Sequence, residues 1–135
     1  VKNHFRLPGL VPNTELPRYH SLVRGSRGAF VVASDSEGFS LVAIEAQASG
    51  SYLIMSDCPA GYERTLNGTI GKNYCRNPKE RAPGELARAT LKVLGLSGEA
   101  YHLVTDAARQ HVVDTFSMRK WVNAYGECLA RVLRS

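Results

Sequence analysis

The sequence predicts an α+β fold: a mostly antiparallel sheet of about five strands, with two helices packed chiefly on one face. Three observations favour this fold. The first half holds β-rich runs separated by turn residues, a helix with start and stop signals begins near residue 83, and an apolar stripe at helical spacing lies near the C-terminus. The chain has 135 residues, a length typical of one domain.

An extended basic arm over residues 1–28 is predicted to precede a single α+β domain over residues 29–135. Prolines at positions 8, 12 and 17 remove backbone donors and disfavour a helix. The arm carries +4 of the net charge of +5, and basic arms attract acidic partners. It is also too apolar for a free linker, so we expect it to dock on a protein partner. The predicted docking residues are Phe5, Leu10, Val11, Leu16, Arg18, Tyr19, Arg24 and Arg27.

Five strands are predicted from β-rich composition. Phe30–Ala33 and Phe39–Ala46 flank the turn signal Asp-Ser-Glu-Gly and are interpreted as a hairpin, which Tyr52–Met55 extends into an antiparallel meander. Further along, Tyr101–Thr105 and His111–Phe116 are interpreted as a second hairpin.

Two helices are predicted. The first runs from about Pro83 to Leu94, because proline suits the start of a helix and Gly95 suits the position just after its end. The second follows Ser117, a suitable N-cap, and is expected to cover one face of the sheet. Its apolar stripe consists of Met118, Trp121, Val122, Tyr125, Cys128, Leu129, Val132 and Leu133.

The stretch CPAGYERTLNGTIGKNYC, from Cys58 to Cys75, could be a closed loop, a metal site or a catalytic centre. A structural zinc site needs four ligands with close cysteine spacing, and a redox pair needs Cys-x-x-Cys; both patterns are absent. No histidine lies in the loop to act as a base for a catalytic thiol. A disulfide between Cys58 and Cys75 is therefore favoured, with a stabilisation of about 3 kcal/mol in the chain-entropy model.

This loop is also predicted to be a rigid recognition surface, with Asn67-Gly68 as its tip and Tyr62, Arg64 and Lys72 as contacts. The remaining cysteine, Cys128, lies in the apolar helix stripe. It is interpreted as a buried small residue, with a bond that staples the helix to the sheet as the alternative.

Other chemical signals are weak. His102 and His111 would lie on the two strands of the second hairpin, but no third ligand accompanies them, so no metal site is predicted. No glycine pattern for binding phosphate occurs, and no nucleophile motif is present, so no cofactor and no catalytic residue are predicted. No apolar run is long enough for a transmembrane helix.

The C-terminal half resembles small bacterial periplasmic domains. It runs from LKVLGLSG, through a predicted strand pair, to HVVDTFSMRKWVNAYGECLARVL. This order is similar to the N-terminal domain of the flagellar motor T-ring protein of sodium-driven stators, in which a cysteine precedes leucine in the last helix, as in Cys128-Leu129. It is also similar to the invasion-associated locus B family. The resemblance spans about residues 83–133 and implies an exported, non-enzymatic assembly domain.

These observations predict a periplasmic or secreted subunit, with its signal peptide removed, that joins a larger assembly through its arm. The alternative is a module that binds nucleic acid or an anionic polymer, and a small hydrolase or toxin-like enzyme is the third hypothesis. The contacts of the nucleic-acid alternative would be Arg18, Arg24, Arg27, Lys72, Arg76, Lys79 and Arg81.

Overall fold

The computed structural model describes residues 9–34, 38–56, 74–75 and 83–134, and most of these residues are helical. A short 3-10 turn, Asn13–Glu15, precedes the first helix. In chain order, the elements are α1 (Leu16–Gly25), β1 (Ala29–Val32), α2 (Leu41–Ala48), β2 (Tyr52–Ser56), β3 (Tyr74–Cys75), α3 (Pro83–Leu94), α4 (Gly98–Phe116) and α5 (Met118–Val132).

The sheet of the described residues is parallel, with the strand order β1-β2-β3. Ala29 pairs with Tyr52 at one end of β1, and Val32 pairs with Met55 at the other. The predicted antiparallel sheet of about five strands is therefore wrong. Parallel neighbours need a crossover rather than a tight turn, and α2 supplies it between β1 and β2.

The segment predicted as the second strand, Phe39–Ala46, contains most of helix α2 instead. Its buried residues are Ala43, Ala46 and Gln47, spaced by three and four positions as on one helix face. The run is apolar on more than one side because α2 packs between the sheet and α4. The predicted hairpin with Phe30–Ala33 is therefore wrong, although β1 itself is a strand.

The second predicted hairpin is also wrong, because Tyr101–Thr105 and His111–Phe116 both belong to the continuous helix α4. The side chain of Ser97 caps this helix by accepting a hydrogen bond from the Ala100 amide at 3.1 Å. The buried residues Tyr101, Thr105 and Val112 lie four and seven positions apart, which is a helical spacing.

Helices cover both faces of the sheet, which corrects the prediction of helices chiefly on one face. Strand β2 alternates between two cores, since successive side chains of a strand point to opposite faces. Leu53 and Met55 pack with Val32 of β1 and Ala43 of α2. On the opposite face, the core consists of Tyr52, Ile54, Val93 of α3 and Tyr101 of α4.

Part of the predicted arm is helical and contacts the domain. Helix α1 tolerates Pro17 because proline at the first positions of a helix loses no internal hydrogen bond. Its His20 is buried, and Arg24 contacts two distant parts of the chain. The guanidinium of Arg24 donates to the Gly50 carbonyl at 3.3 Å and to Asp106 Oδ1 of α4 at 2.9 Å. An extended conformation is therefore wrong for Leu16–Gly25, while the division of the chain at residue 28 stays a prediction.

The helices α3 and α5 were predicted correctly, and Ser117 caps α5 as expected, by accepting from the Lys120 amide. The packing predicted for α5 is wrong. None of its residues is buried, and its apolar stripe faces outward instead of covering the sheet. Cys128 is an exposed free thiol and not the buried residue that was expected.

The hydroxyl of Tyr101 joins α4 to the amino ends of β1 and β2. It donates to the Gly28 carbonyl at 2.9 Å and accepts from the Tyr52 amide at 3.4 Å. Replacing Tyr101 by phenylalanine leaves the buried Tyr52 amide and the partly buried Gly28 carbonyl without that partner, so we expect the free energy of unfolding to fall by about 1–3 kcal/mol in urea denaturation. The exposed Tyr125 of α5 is the control: Tyr125→Phe should change stability by less than about 0.5 kcal/mol. Equal effects of the two changes would contradict this role of the hydroxyl.

Gly50 occupies a left-handed turn between α2 and β2, with φ +74°, and a Cβ there would collide with the Arg24 guanidinium. Gly50→Ala should lower the free energy of unfolding by roughly 1–2 kcal/mol, the cost of this backbone conformation for a residue with a Cβ, because the guanidinium is the end of a flexible side chain and can move aside. Gly126→Ala is the matched control, because a Cβ at that position of α5 meets open space. The control should keep or slightly raise the melting temperature, since alanine favours helix by about 0.5–1 kcal/mol over glycine.

Candidate functional site

The candidate site lies at the edge of the sheet where the parallel strands end, which we call the carboxyl edge. It comprises the end of β1 at Val32, residues 38–40 and the first turn of α2. In open sheets with parallel strands, ligands bind in the crevice outside the carboxyl ends of the strands. The crossover brings the N-terminus of α2 to this edge because the chain leaves β1 there.

Ser40 has an unusual conformation at this edge. Its backbone is left-handed, with φ 53° and ψ 67°, a region that costs a residue other than glycine roughly 1–2 kcal/mol. Its side chain is only 6% exposed, and its Oγ has no hydrogen-bond partner among the described residues. Strain and an unsatisfied buried hydroxyl at one residue are typical of ligand sites.

The backbone of Ser40 begins helix α2. Its carbonyl accepts from the amides of Ala43 at 3.0 Å and Ile44 at 3.3 Å. The first amides of a helix have no partner within the helix, and the helix dipole places partial positive charge around them. With the Ser40 hydroxyl, this terminus can donate several hydrogen bonds to an anion such as phosphate.

Two titratable side chains lie near the second turn of α2. The carbonyl of one of them, His20, accepts from the hydroxyl of Ser51 directly before β2, so His20 lies toward the edge where the strands begin rather than at the carboxyl edge. His20 of α1 is buried against Phe30, with ring centroids 4.9 Å apart, and neither ring nitrogen has a partner among the described residues. Burial lowers the pKa of His20 below its usual 6.5, and the carboxylate of Glu45 partly opposes this shift. Glu45 itself is exposed on α2, where its oxygens are open to hydroxyl donors.

Ser40, Glu45 and His20 were not among the predicted site residues. Ser40 could have been found from the sequence. It directly precedes an alanine-rich apolar run, and a serine in that position is a common start signal of a helix. His102 and His111, which were predicted to lie on paired strands, both lie on helix α4, and His111 packs against Phe116. No cluster of His, Cys, Asp and Glu suited to a metal ion occurs among the residues that the structure describes.

The predicted docking residues do not gather at the carboxyl edge. Leu10 is 98% exposed, Tyr19 is partly exposed, and Arg18 forms an exposed ion pair with Glu15 at 3.9 Å. Val11 and Leu16 are half-buried, Arg24 is bonded to Asp106, and Arg27 lies after α1 with φ 53°. Their role in binding a partner stays a prediction.

Several predicted site residues lie outside the described residues: Phe5, Cys58, Tyr62, Arg64, Asn67, Gly68, Lys72, Arg76, Lys79 and Arg81. Cys75 belongs to β3, where only the backbone is described. The disulfide and the recognition loop therefore stay predictions. Among the helices that the structure describes, none combines the length and hydrophobicity of a membrane-spanning segment.

A comparison with known families gives a match over most of the chain. The model of the family Glycosyl transferases group 1 matches residues 1–111. The chain belongs to this family. No curated protein and no solved structure matches the chain.

Membership in Glycosyl transferases group 1 corrects two predictions. The resemblance to the T-ring and invasion-associated domains is wrong, since the family match covers most of the chain and the second predicted hairpin on which the resemblance depended is helix α4. A non-enzymatic structural subunit is also wrong, because the family is one of enzymes. The nucleic-acid and hydrolase alternatives fit no better. The exported location stays a prediction.

Burial of His20 predicts an acid-sensitive fold. Because the pKa of His20 is lowered in the folded state, the unfolded chain takes up a proton first as the pH falls through about 6.5, and stability is lost below that pH. His20→Phe should therefore reduce the difference in unfolding free energy between about pH 8 and about pH 5, measured by urea denaturation. Val93→Ala is the control: it removes packing from the core on the other face of the sheet and leaves His20 and Phe30 in place, so stability should fall at every pH with the slope retained. A slope in His20→Phe equal to that of the unchanged protein would refute the assignment.

Proposed function

We propose that this chain binds the activated sugar donor of a glycosyltransferase, and that the phosphate-bearing leaving group of the donor lies at the N-terminus of α2. The observation that carries the proposal is Ser40, whose hydroxyl is buried without a partner among the described residues. Family membership supports the reaction class, and the parallel sheet supports the position, because such sheets bind nucleotides at their carboxyl ends.

The chemistry of glycosyl transfer fits this position. The bond between the anomeric carbon and the leaving-group oxygen breaks, and its electron pair stays with the leaving group. The acceptor oxygen forms the new bond to carbon and gives up its proton. Negative charge therefore grows on the phosphate, and the amides of α2 with the Ser40 hydroxyl would stabilise that charge.

Glu45 is the second group assigned to the donor. It lies one helical turn after Leu41, and both residues are exposed. A carboxylate repels phosphate but accepts hydrogen bonds from the hydroxyls of a sugar or ribose, as acidic residues do in nucleotide-binding sheets. Glu45 would therefore hold a hydroxyl-bearing part of the donor, away from its phosphates.

The test is calorimetric titration of the full chain with UDP and GDP, and with uridine and guanosine as ligands without phosphate. We expect at least one nucleoside diphosphate to bind and its nucleoside to bind far more weakly. Ser40→Gly removes the hydroxyl, and glycine accepts the left-handed backbone without strain. This variant should bind the diphosphate about tenfold or more weakly, as expected for a hydrogen bond to a charged group.

Ser49→Ala is the matched control, because Ser49 lies at the other end of α2 and its hydroxyl donates to the Glu45 carbonyl. Its affinity should equal that of the unchanged chain. The proposal fails if neither diphosphate binds, or if Ser40→Gly and Ser49→Ala bind the diphosphate equally well.

A further inference from the structure

A small cavity lies between α2, β2 and α4, near the edge where the strands begin. The space in it that is open to the centre of a water molecule is about 10 Å³, roughly what one water needs. Its lining combines polar and apolar side chains: Gln47, Ser51, Leu53, Val104, Thr105 and Ala108.

The side-chain oxygen of Gln47 is the most unusual group of this lining. Gln47 lies in the last turn of α2 and is only 2% exposed. Its Oε1 is buried and has no hydrogen-bond partner among the residues that the structure describes. Most buried polar atoms in native proteins are bonded to protein or to an ordered water, because an unpaired amide oxygen in a core is unfavourable.

Two buried hydroxyls lie in the same lining. The Ser51 hydroxyl donates to the His20 carbonyl at 3.2 Å, and the Thr105 hydroxyl of α4 donates to the His102 carbonyl at 3.3 Å. A hydroxyl that donates its own hydrogen still has lone pairs that can accept one. The cavity therefore presents three acceptor oxygens, and a group that donates hydrogen bonds suits it.

We propose that this cavity binds one water molecule, which donates to Gln47 Oε1 and to the hydroxyl oxygen of Thr105 and so joins α2 to α4. A metal cation suits the cavity less well, because none of the described side chains that line it is charged, and burying a charge without a charged partner is costly. The water site lies at the opposite end of α2 from Ser40. It goes beyond the proposed function and does not depend on it.

The first test is the sign of a change in stability. Gln47→Met keeps an unbranched side chain of similar length and removes the amide. If Oε1 bonds a water, the variant loses that bond, and its urea midpoint of unfolding should fall. If Oε1 is unpaired, the variant removes an unsatisfied group, and a midpoint that rises would overturn the proposal.

Crystal structures of the unchanged chain and of Gln47→Met show the water directly. We expect density within roughly 2.7–3.2 Å of Gln47 Oε1 in the unchanged chain and none there in the variant. A high-resolution structure of the unchanged chain without this density would refute the site even if the variant did not fold.

A double-mutant cycle tests whether one water serves both helices. Thr105→Val removes the second partner, so its effect on stability should be smaller in Gln47→Met, which has already lost the water, than in the unchanged chain. Thr90→Val is the matched control. The Thr90 hydroxyl donates to the Leu86 carbonyl in the same way, at 2.9 Å, but Thr90 does not line the cavity. Its effect should be additive with Gln47→Met, and additivity of Thr105→Val with Gln47→Met would contradict a shared water.

Salt distinguishes the water from a cation. The urea midpoint of the unchanged chain should be equal in sodium, potassium and tetramethylammonium chloride at one concentration, since the last cation is too large for the cavity. Stabilisation by sodium or potassium alone that disappears in Gln47→Met would identify the occupant as a cation and overturn the assignment. These measurements use no nucleotide, so a failure of the donor proposal leaves their outcome unchanged.

Discussion

The hydroxyl of Tyr101 is the contact on which the arrangement of strands and helices depends most. It lies within the core at the amino ends of β1 and β2, and it bonds one backbone group beside each strand. A phenol keeps its proton at physiological pH and can donate, and burial raises the pKa of Tyr101 further above its usual 10.0. A parallel pair has no hairpin to hold its strands in register. The Tyr101 side chain of α4 therefore helps to keep β1 and β2 in register at the edge where the strands begin. In an antiparallel pair, a tight turn would do this.

The same helix also positions the opposite edge. At 19 residues, α4 is roughly 28 Å long, enough to pass from the core beneath β2 to the start of α2. Near its middle Asp106 holds Arg24 of α1, and near its end Phe116 meets Phe39. Helix α2 is thus enclosed by the sheet and α4, so the strained backbone of Ser40 is maintained by packing on both sides. A strained backbone conformation persists only where the surrounding structure holds it in place.

The sequence allowed the positions of β1, β2, α3 and α5 to be predicted, but not the direction of the strands. The β-branched and aromatic residues of 101–116 suit strands and buried helix faces equally well, and the helical spacing of Tyr101, Thr105 and Val112 is visible only when the whole segment is treated as one element. Strand direction depends on what connects the strands. Because the segment of α2 was predicted as a strand, β1 and β2 were assigned to an antiparallel sheet, whereas they pair in parallel. The site was missed for a related reason: Ser40 before an apolar run marks the start of a helix, and this signal was not used because Phe39–Ala46 was predicted as a strand.

The chemistry of the proposed donor site follows from the elements that form it. A helix terminus at the end of a parallel strand offers amide donors, which suit phosphate. The backbone of α2 fixes these donors before a ligand binds, so they do not have to reorganise as negative charge grows on the leaving group. The left-handed backbone of Ser40 adds a buried hydroxyl at the same terminus. The strain at Ser40 would therefore be offset on binding, when the hydroxyl gains a charged partner.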